Sequence, residues 1–266
     1  MKLPEFENPP VIEVVCGLMF DPLGGLLAPH LGLLWQRFRE EYPKCQEVPP
    51  LAPVVELFEG EPSIGLELSE TPPLPRIWFT RADDVGIIQV QRDRFLHNWK
   101  KAKPGDAYPR YGTVFSLFKD KLAIFEQFIS DEGLGPVRPR QYELTYVNHI
   151  PKGKLVSSLL NISVLFPDFS WRADAGRFLA CPDGLNWRTS FVLPEHRGRL
   201  HVAIRSGVRR DDHETIILLE LTARGMAGVP DREQMWAWFD MAHEWIVCAF
   251  TDLTSPRAHS AWRRTQ

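Results

Sequence analysis

Thr215–Thr222 reads Thr-Ile-Ile-Leu-Leu-Glu-Leu-Thr, and this stretch, with the segment that follows it, decides the fold class. The β-branched and apolar run is typical of a strand. From about Arg232 onward, apolar residues recur at helical spacing along one face: Met235, Trp238, Phe239, Ala242, Trp245, Ile246 and Phe250. A strand followed by a long amphipathic helix predicts that the helix buries its apolar face on an antiparallel sheet.

The segments before this strand predict the rest of the second half of the chain. Tyr142–Val147 is predicted to be a strand, and Leu155–Leu165 a weak helix with serines at its start. Asn186–Leu193 and Leu200–Ser206 are predicted to be strands, the latter because Leu200, Val202 and Ile204 alternate with His201, Ala203 and Arg205. The order is therefore strand, helix, three strands and a long helix.

The first half shows the same order of elements. Val11–Phe20 is predicted to be a strand, and Leu31–Phe38 a short amphipathic helix. Val54–Phe58, Arg76–Phe79 and Gly86–Gln91 are predicted to be three strands separated by turns. The apolar stripe of the long helix that follows consists of Phe115, Phe118, Leu122, Phe125 and Phe128.

The repeated order predicts an α+β fold that arose by internal duplication. The halves are residues 1–136 and 137–266, each a β-α-β-β-β-α unit, and we expect them to pack as one domain. Their antiparallel sheet would grip two long helices, an arrangement similar to the helix-grip or TATA-binding-protein-like topology. The other face of the sheet would then be open to a partner or ligand.

Composition narrows the class of protein. The chain has 266 residues, of which 44% are hydrophobic and 24% charged, and its net charge is -3. This charge gives no general attraction for nucleic acid, so a nucleic-acid partner is disfavoured. The beginning of the chain lacks the pattern of a signal peptide, and no apolar run is long enough for a membrane span. We therefore expect a cytoplasmic protein without a membrane contact.

The four cysteines are scattered and show neither a C-x-x-C pair nor zinc-ligand spacing. The sequence contains no G-x-S-x-G motif and no phosphate-binding glycine loop. We accordingly assign no catalytic residue, metal ligand or cofactor. Asp240, His243 and Glu244 lie one helical turn apart and could hold a metal or move a proton, but such a cluster is also typical of a surface hydrogen-bond group.

The segment from Gln89 to Trp99 is the strongest candidate binding site, because arginines, an amide and an aromatic ring follow one strand closely. Arginine forks and an aromatic plate can hold a carboxylate, a phosphate or a base. The structural alternative is that Asp93 pairs with an arginine to fix the strand end, while Trp99 and Tyr111 cap the core. The candidate binding residues are Gln91, Arg92, Arg94, Asn98, Trp99, Tyr111, Asn148 and His243.

Five segments carry a resemblance to a known group of proteins: Pro9–Val15, Ile88–Trp99, Tyr108–Tyr111, Tyr142–Ile150 and Ala242–Glu244. In these segments, and over nearly its full length, the chain resembles a sporadically distributed, uncharacterised prokaryotic protein family. The resemblance implies a bacterial or archaeal origin and a single module, and it supplies no reaction. A scattered distribution is common among mobile or defence-linked genes, so the resemblance also implies such a setting.

Three hypotheses of function follow. The first is a non-enzymatic binding or accessory protein whose open sheet engages a protein partner. The second is a binder of a small ligand or nucleotide-derived signal, with contacts from Arg92, Arg94, Asn98, Tyr111 and Asn148. The third is a hydrolase centred on His243 and its acidic neighbours.

Overall fold

A computed structural model describes residues 2–52, 56, 74–153, 155–171, 176, 178–209, 212–226 and 231–266. The strands are β1 (Val11–Phe20), β2 (Lys44–Val48), β3 (Arg76–Thr80), β4 (Gly86–Gln91), β5 (Arg94–Lys100), β6 (Pro139–Pro151), β7 (Asn186–Val192), β8 (Arg199–Val208) and β9 (Thr215–Met226). The helices are α1 (Ala28–Phe38), α2 (Tyr111–Asp131), α3 (Arg232–Leu253) and α4 (Pro256–Ala261), and Leu159–Val164 and Pro194–His196 form short 3-10 helices. Among the described helices, none is both long and apolar enough to cross a membrane.

The strands form one nine-stranded sheet in the order β2-β3-β4-β5-β1-β6-β9-β8-β7. Strand β5 pairs antiparallel with both β1 and β4, and β7 pairs antiparallel with β8. The predicted α+β class with a large antiparallel sheet is therefore confirmed. The division into duplicated halves at residue 136 stays a prediction.

Several observed elements differ from the predictions. The weak helix predicted at Leu155–Leu165 is only the 3-10 helix Leu159–Val164, because Ser158 caps its start and Asn161 leaves helical geometry in its middle. Strand β2 was not predicted, since its polar residues are exposed on both faces. Strand β5 was not predicted either, because it buries polar and apolar residues alike. The strand predicted at Val54–Phe58 lies outside the described residues, apart from Glu56.

The chain divides into two compact units, which we describe separately. The first unit comprises residues 13–144 and 224–239. Its core is aromatic. The ring of Phe95 stacks on that of Phe125 of α2, with ring centroids 5.0 Å apart, and the ring centroids of Phe38 of α1 and Phe79 of β3 are 6.0 Å apart. Phe239, from the start of α3, packs 5.3 Å from Phe115. The stripe predicted for α2 is therefore buried against one face of the sheet.

The second unit comprises residues 1–12, 145–223 and 240–266. Leu200, Val202 and Ile204 are buried on one face of β8, as their alternation predicts. The rings of Phe6 and Trp262 both contact Phe250 of α3, at 5.4 and 5.1 Å. These contacts fix the two ends of the chain on the last long helix.

Candidate functional site

Strand register places a set of polar side chains on the face of the first unit away from α1 and α2. Gln91 lies opposite Arg94, and Gln89 lies opposite both Leu96 on β5 and Trp78 on β3. Phe95 and Phe79 point to the opposite, helix-covered face, because side chains alternate along a strand. We call the first set the polar face: Glu13, Arg76, Trp78, Gln89, Gln91, Arg94 and Asn98.

The centre of the polar face is a chain of hydrogen bonds that crosses four strands. Gln89 Oε1 accepts from Arg76 Nη1 at 2.8 Å and from Trp78 Nε1 at 3.0 Å. Gln89 Nε2 donates to Asn98 Oδ1 at 2.8 Å, and Asn98 Nδ2 donates to Glu13 Oε1 at 2.6 Å. Gln89 and Asn98 are buried, so each bond is made in a medium of low polarity, where an unmade bond would be costly.

The turn between β4 and β5 holds the second part of the polar face. Arg94 is 5% exposed and donates from Nε and Nη2 to the two oxygens of Asp93, at 3.0 and 2.9 Å. Gln91 exchanges two hydrogen bonds with the backbone of Leu51, at 2.9 and 3.0 Å. This bidentate pair is the one expected if Asp93 pairs with an arginine to fix the strand end. It occupies one edge of the Arg94 guanidinium.

The remaining predicted residues of the first unit lie elsewhere. Trp99 is buried on the helix-covered face with its ring 5.3 Å from Tyr108, and Tyr111 stacks on Phe115 at 5.1 Å in the first turn of α2. Arg92 lies in the turn, where its backbone oxygen accepts from Leu23 at 2.9 Å. The predicted residues that meet on the polar face are therefore Gln91, Arg94 and Asn98.

Asn148 and His243 belong to the second unit. Asn148 is buried and donates to the backbone oxygen of Leu219 at 3.1 Å. His243 Nδ1 lies 3.0 Å from the hydroxyl of Tyr146, and burial lowers the pKa of His243 to about 4. The imidazole is consequently neutral near pH 7, and it is held against a strand. Within the described part of the chain, no group of three or more His, Cys, Asp and Glu side chains could hold a metal ion.

A second candidate site is the outer edge of the sheet in the second unit. Among the described strands, β7 is last in the order and has a neighbouring strand on one side only. Asn186, Arg188 and Ser190 are exposed, and so are Phe191 and Val192, at 44% and 48%. An edge strand of this kind presents unpaired backbone groups to any extended chain.

The opposite edge of the sheet is protected in a way that β7 is not. Strand β2 has five residues, including Lys44 and Glu47, and Lys44 forms an ion pair with Asp84 at 2.7 Å. Short length and charge are two of the features by which proteins prevent strand addition. Strand β7 has seven residues with a single charge, from Arg188.

The sheet face beside β7 is rich in arginine. Register places Asn186 opposite Arg205, Arg188 opposite Ala203, and Val192 opposite Arg199, all on one face. We call this the arginine face, defined by Arg188, Arg199 and Arg205. Glu220 of β9 pairs with Arg205 at 3.1 Å, and no other carboxylate belongs to this face among the described residues of β7, β8 and the part of β9 in the second unit.

Comparison of the chain with protein-family models, with curated proteins and with solved structures finds no match. The polar face of the first unit and the β7 edge of the second are therefore the two candidate sites.

Several residues of these sites were not among the predicted ones. Arg76 and Trp78 join the polar face through their register with β4, and Phe191 becomes important because β7 lies at an edge. The alternation of Asn186–Val192 could have suggested one exposed face. Its position in the strand order had no signal in the local sequence.

Proposed function

We propose that this protein is a non-enzymatic binding protein, in which β7 receives an extended segment of a protein partner as an additional strand. The supporting observation is the β7 edge, which no described strand covers and which carries a single charge, in contrast with the charged β2 edge of the same sheet. Strand addition gains affinity from main-chain hydrogen bonds, and specificity from the side chains on the two faces. Strand addition requires backbone groups at an edge and a side-chain pattern on the two faces, and β7 has both.

The pattern of β7 specifies the chemistry of the partner. Arg188 points to the arginine face, so an acidic residue opposite it would form a cross-strand ion pair. Phe191 points to the other face, as does Trp187, whose ring contacts Phe169 at 4.9 Å. An apolar side chain of the partner would cover Phe191. The segment that fits is therefore extended, with acidic residues on one face and apolar residues on the other.

A second copy of the chain fits this edge less well. Two β7 strands paired antiparallel about Thr189 would place Arg188 opposite Ser190 of the second copy. This arrangement gives Arg188 no carboxylate, and it brings two arginine faces side by side. Because a carboxylate opposite Arg188 is the feature that the partner should supply, we commit to a heterologous acidic segment.

We also propose that the fold is a duplicated helix-grip unit. The first strand of each half lies beside the last strand of the same half, β1 beside β5 and β6 beside β9, and a long helix follows each last strand. We place the protein in the prokaryotic cytoplasm, in a setting linked to defence or mobile elements. That setting rests on the resemblance described above, and genes adjacent to this one that encode an effector would support it.

Proline substitution at the edge tests the proposed function. Successive residues of an antiparallel strand direct their N–H groups to opposite sides, so one of Thr189→Pro and Ser190→Pro removes only an outward N–H. That variant should remain folded and lose a protein that the wild type captures stoichiometrically from its own host. Gln46→Pro at the β2 edge is the matched control and should retain it. Retention by both β7 variants, or the absence of any captured protein, would contradict the proposal.

A further inference from the structure

We propose that the Arg76 guanidinium, on the polar face of the first unit, is a binding site for an oxyanion, either a carboxylate or a phosphate. This site is independent of the β7 edge, which belongs to the second unit. The residues of this site are Arg76 and Trp78 of β3 and Gln89 of β4.

The guanidinium of Arg76 is held in one orientation, and in the described part of the chain its Nε and Nη2 edge has no acceptor. Nη1 donates to Gln89 Oε1 at 2.8 Å, and the guanidinium carbon lies 5.4 Å from the ring centroid of Trp78. Gln89 is itself fixed by Trp78 and Asn98. Nε is buried, and among the described residues it has no hydrogen-bond acceptor. The Nε and Nη2 edge, with its two parallel N–H groups, matches the oxygens of a carboxylate or phosphate.

The charge of Arg76 is not balanced by a neighbouring carboxylate. Within the described part of the chain, no Asp or Glu oxygen lies within ion-pair distance of it, although Arg76 is half-buried. Burial lowers the pKa of Arg76, and the charge of Arg94 lowers it further. Two guanidinium groups therefore share this part of the sheet, and Asp93 neutralises only Arg94. An anion bound at Arg76 would relieve the repulsion.

Three other partly buried arginines in the described chain have a carboxylate partner, whereas the buried Nε of Arg92, like that of Arg76, has no acceptor. Arg94 has Asp93, Arg224 donates to Glu143 at 2.7 Å, and Arg205 donates to Glu220 at 3.1 Å. Half-buried arginine normally has such a partner, because desolvating the charge is costly without one. Arg76 has an amide and an aromatic ring instead. A carboxylate or phosphate is of the chemical type that the Nε and Nη2 edge of Arg76 would bind.

Titration with small anions tests this inference. Isothermal titration calorimetry of the full chain at constant ionic strength would use inorganic phosphate, acetate and chloride in separate experiments. We expect saturable binding of phosphate or acetate with one site per chain, and no saturable binding of chloride. Stronger binding of phosphate would identify a phosphoryl ligand, and stronger binding of acetate a carboxylate ligand. An absence of saturable binding by both would overturn the proposal.

Two variants separate bidentate recognition from a general effect of charge. Arg76→Lys keeps the charge but cannot form the fork, so the Kd of the preferred anion should rise by about tenfold or more. Arg37→Gln is the matched control, because Arg37 is an exposed arginine whose ion-pair partner is Asp131, and it should leave the Kd unchanged. Circular dichroism would verify that both variants are folded. An unchanged Kd in folded Arg76→Lys, or an equal rise in Arg37→Gln, would overturn the assignment.

Discussion

The amide nitrogen of Gln89 donates to the amide oxygen of Asn98 at 2.8 Å, and this bond joins a cation to an anion across the sheet of the first unit. The hydrogen bonds from Arg76 through Gln89 and Asn98 to Glu13 form a chain that we call the relay. Arg76 lies at one end of it and Glu13 at the other. Since both amides are buried, the relay links the two charged groups through hydrogen bonds without direct contact between them. The orientation of Arg76, and hence the proposed oxyanion site, depends on it.

Replacement of Asn98 should therefore destabilise the protein. Asn98→Leu removes the acceptor of Gln89 Nε2 and one donor to Glu13, which leaves the buried amide nitrogen of Gln89 unsatisfied. The expected loss is about 2–4 kcal/mol in the free energy of unfolding, measured by urea denaturation. Gln46→Leu on the exposed β2 strand is the control and should change it by less than about 0.5 kcal/mol. Equal effects of the two substitutions would show that the relay does not contribute to stability.

Loss of the buried Asp93–Arg94 ion pair should destabilise the protein more than loss of an exposed ion pair. Asp93→Asn leaves the Arg94 guanidinium, 5% exposed, without a carboxylate. We expect a loss of about 3 kcal/mol in the free energy of unfolding. Asp131→Asn breaks the exposed pair with Arg37 and should cost less than about 1 kcal/mol. A loss for Asp93→Asn no larger than that for Asp131→Asn would contradict the burial argument.

Because His97 and His243 are shielded from water, we expect mild acid to destabilise the fold at a higher pH than that at which carboxylates take up protons. Burial lowers the pKa of His97 to about 3, and that of His243 to about 4, from an ordinary value of 6.5. The unfolded chain therefore binds more protons than the folded chain once the pH falls below about 6.5. Stability is fully present above that pH and is lost as the pH falls toward 4. Each histidine contributes a slope of up to about 1.4 kcal/mol per pH unit.

Urea unfolding between pH 7.5 and 5 would measure this slope. His243→Asn should reduce the slope, because the substituted residue no longer binds a proton in the unfolded state. An unfolding free energy that stays constant from pH 7.5 to 5 in the wild type would contradict the prediction.

Any side chain at position 225, in the first unit, should clash with a neighbouring residue. A Cβ atom at Gly225 would lie 2.1 Å from Trp238 Nε1, and Trp238 is fully buried. Gly225→Ala should therefore reduce the unfolding free energy by about 1–3 kcal/mol, since the ring must move. Gly112→Ala in α2 is the control, because a Cβ atom there would meet nothing within 4 Å. Thermal unfolding that is unchanged in Gly225→Ala would show that the ring moves without strain.

The sequence predicted the elements whose pattern is local. The alternation in Leu200–Ser206 and the stripe of α2 predicted elements that the structure confirms. It did not predict β5, because Arg94, His97 and Asn98 are buried there and polar residues normally indicate exposure. Burial of these residues depends on partners from other strands, which no local pattern contains.

The same limit applies to the sites. Gln91, Arg94 and Asn98 are close in the sequence, so their proximity predicted a shared site. Arg76 joins them only through the register of β3 with β4, and a slip of one residue would turn its side chain to the other face. The exposure of β7 depends on strand order, which is set by contacts distant in the sequence.

The most direct test of the proposed function is a photo-crosslink from the β7 edge in living host cells. A photoreactive amino acid replaces Ser190 on β7 or, as the control, Gln46 on β2, since both residues are exposed on edge strands. We predict a single heterologous adduct from position 190, none from position 46, and a crosslinked peptide with acidic residues on one face and apolar residues on the other. Adducts only between two copies of the chain, or equal adducts from both positions, would contradict the claim that β7 receives a strand from a protein partner.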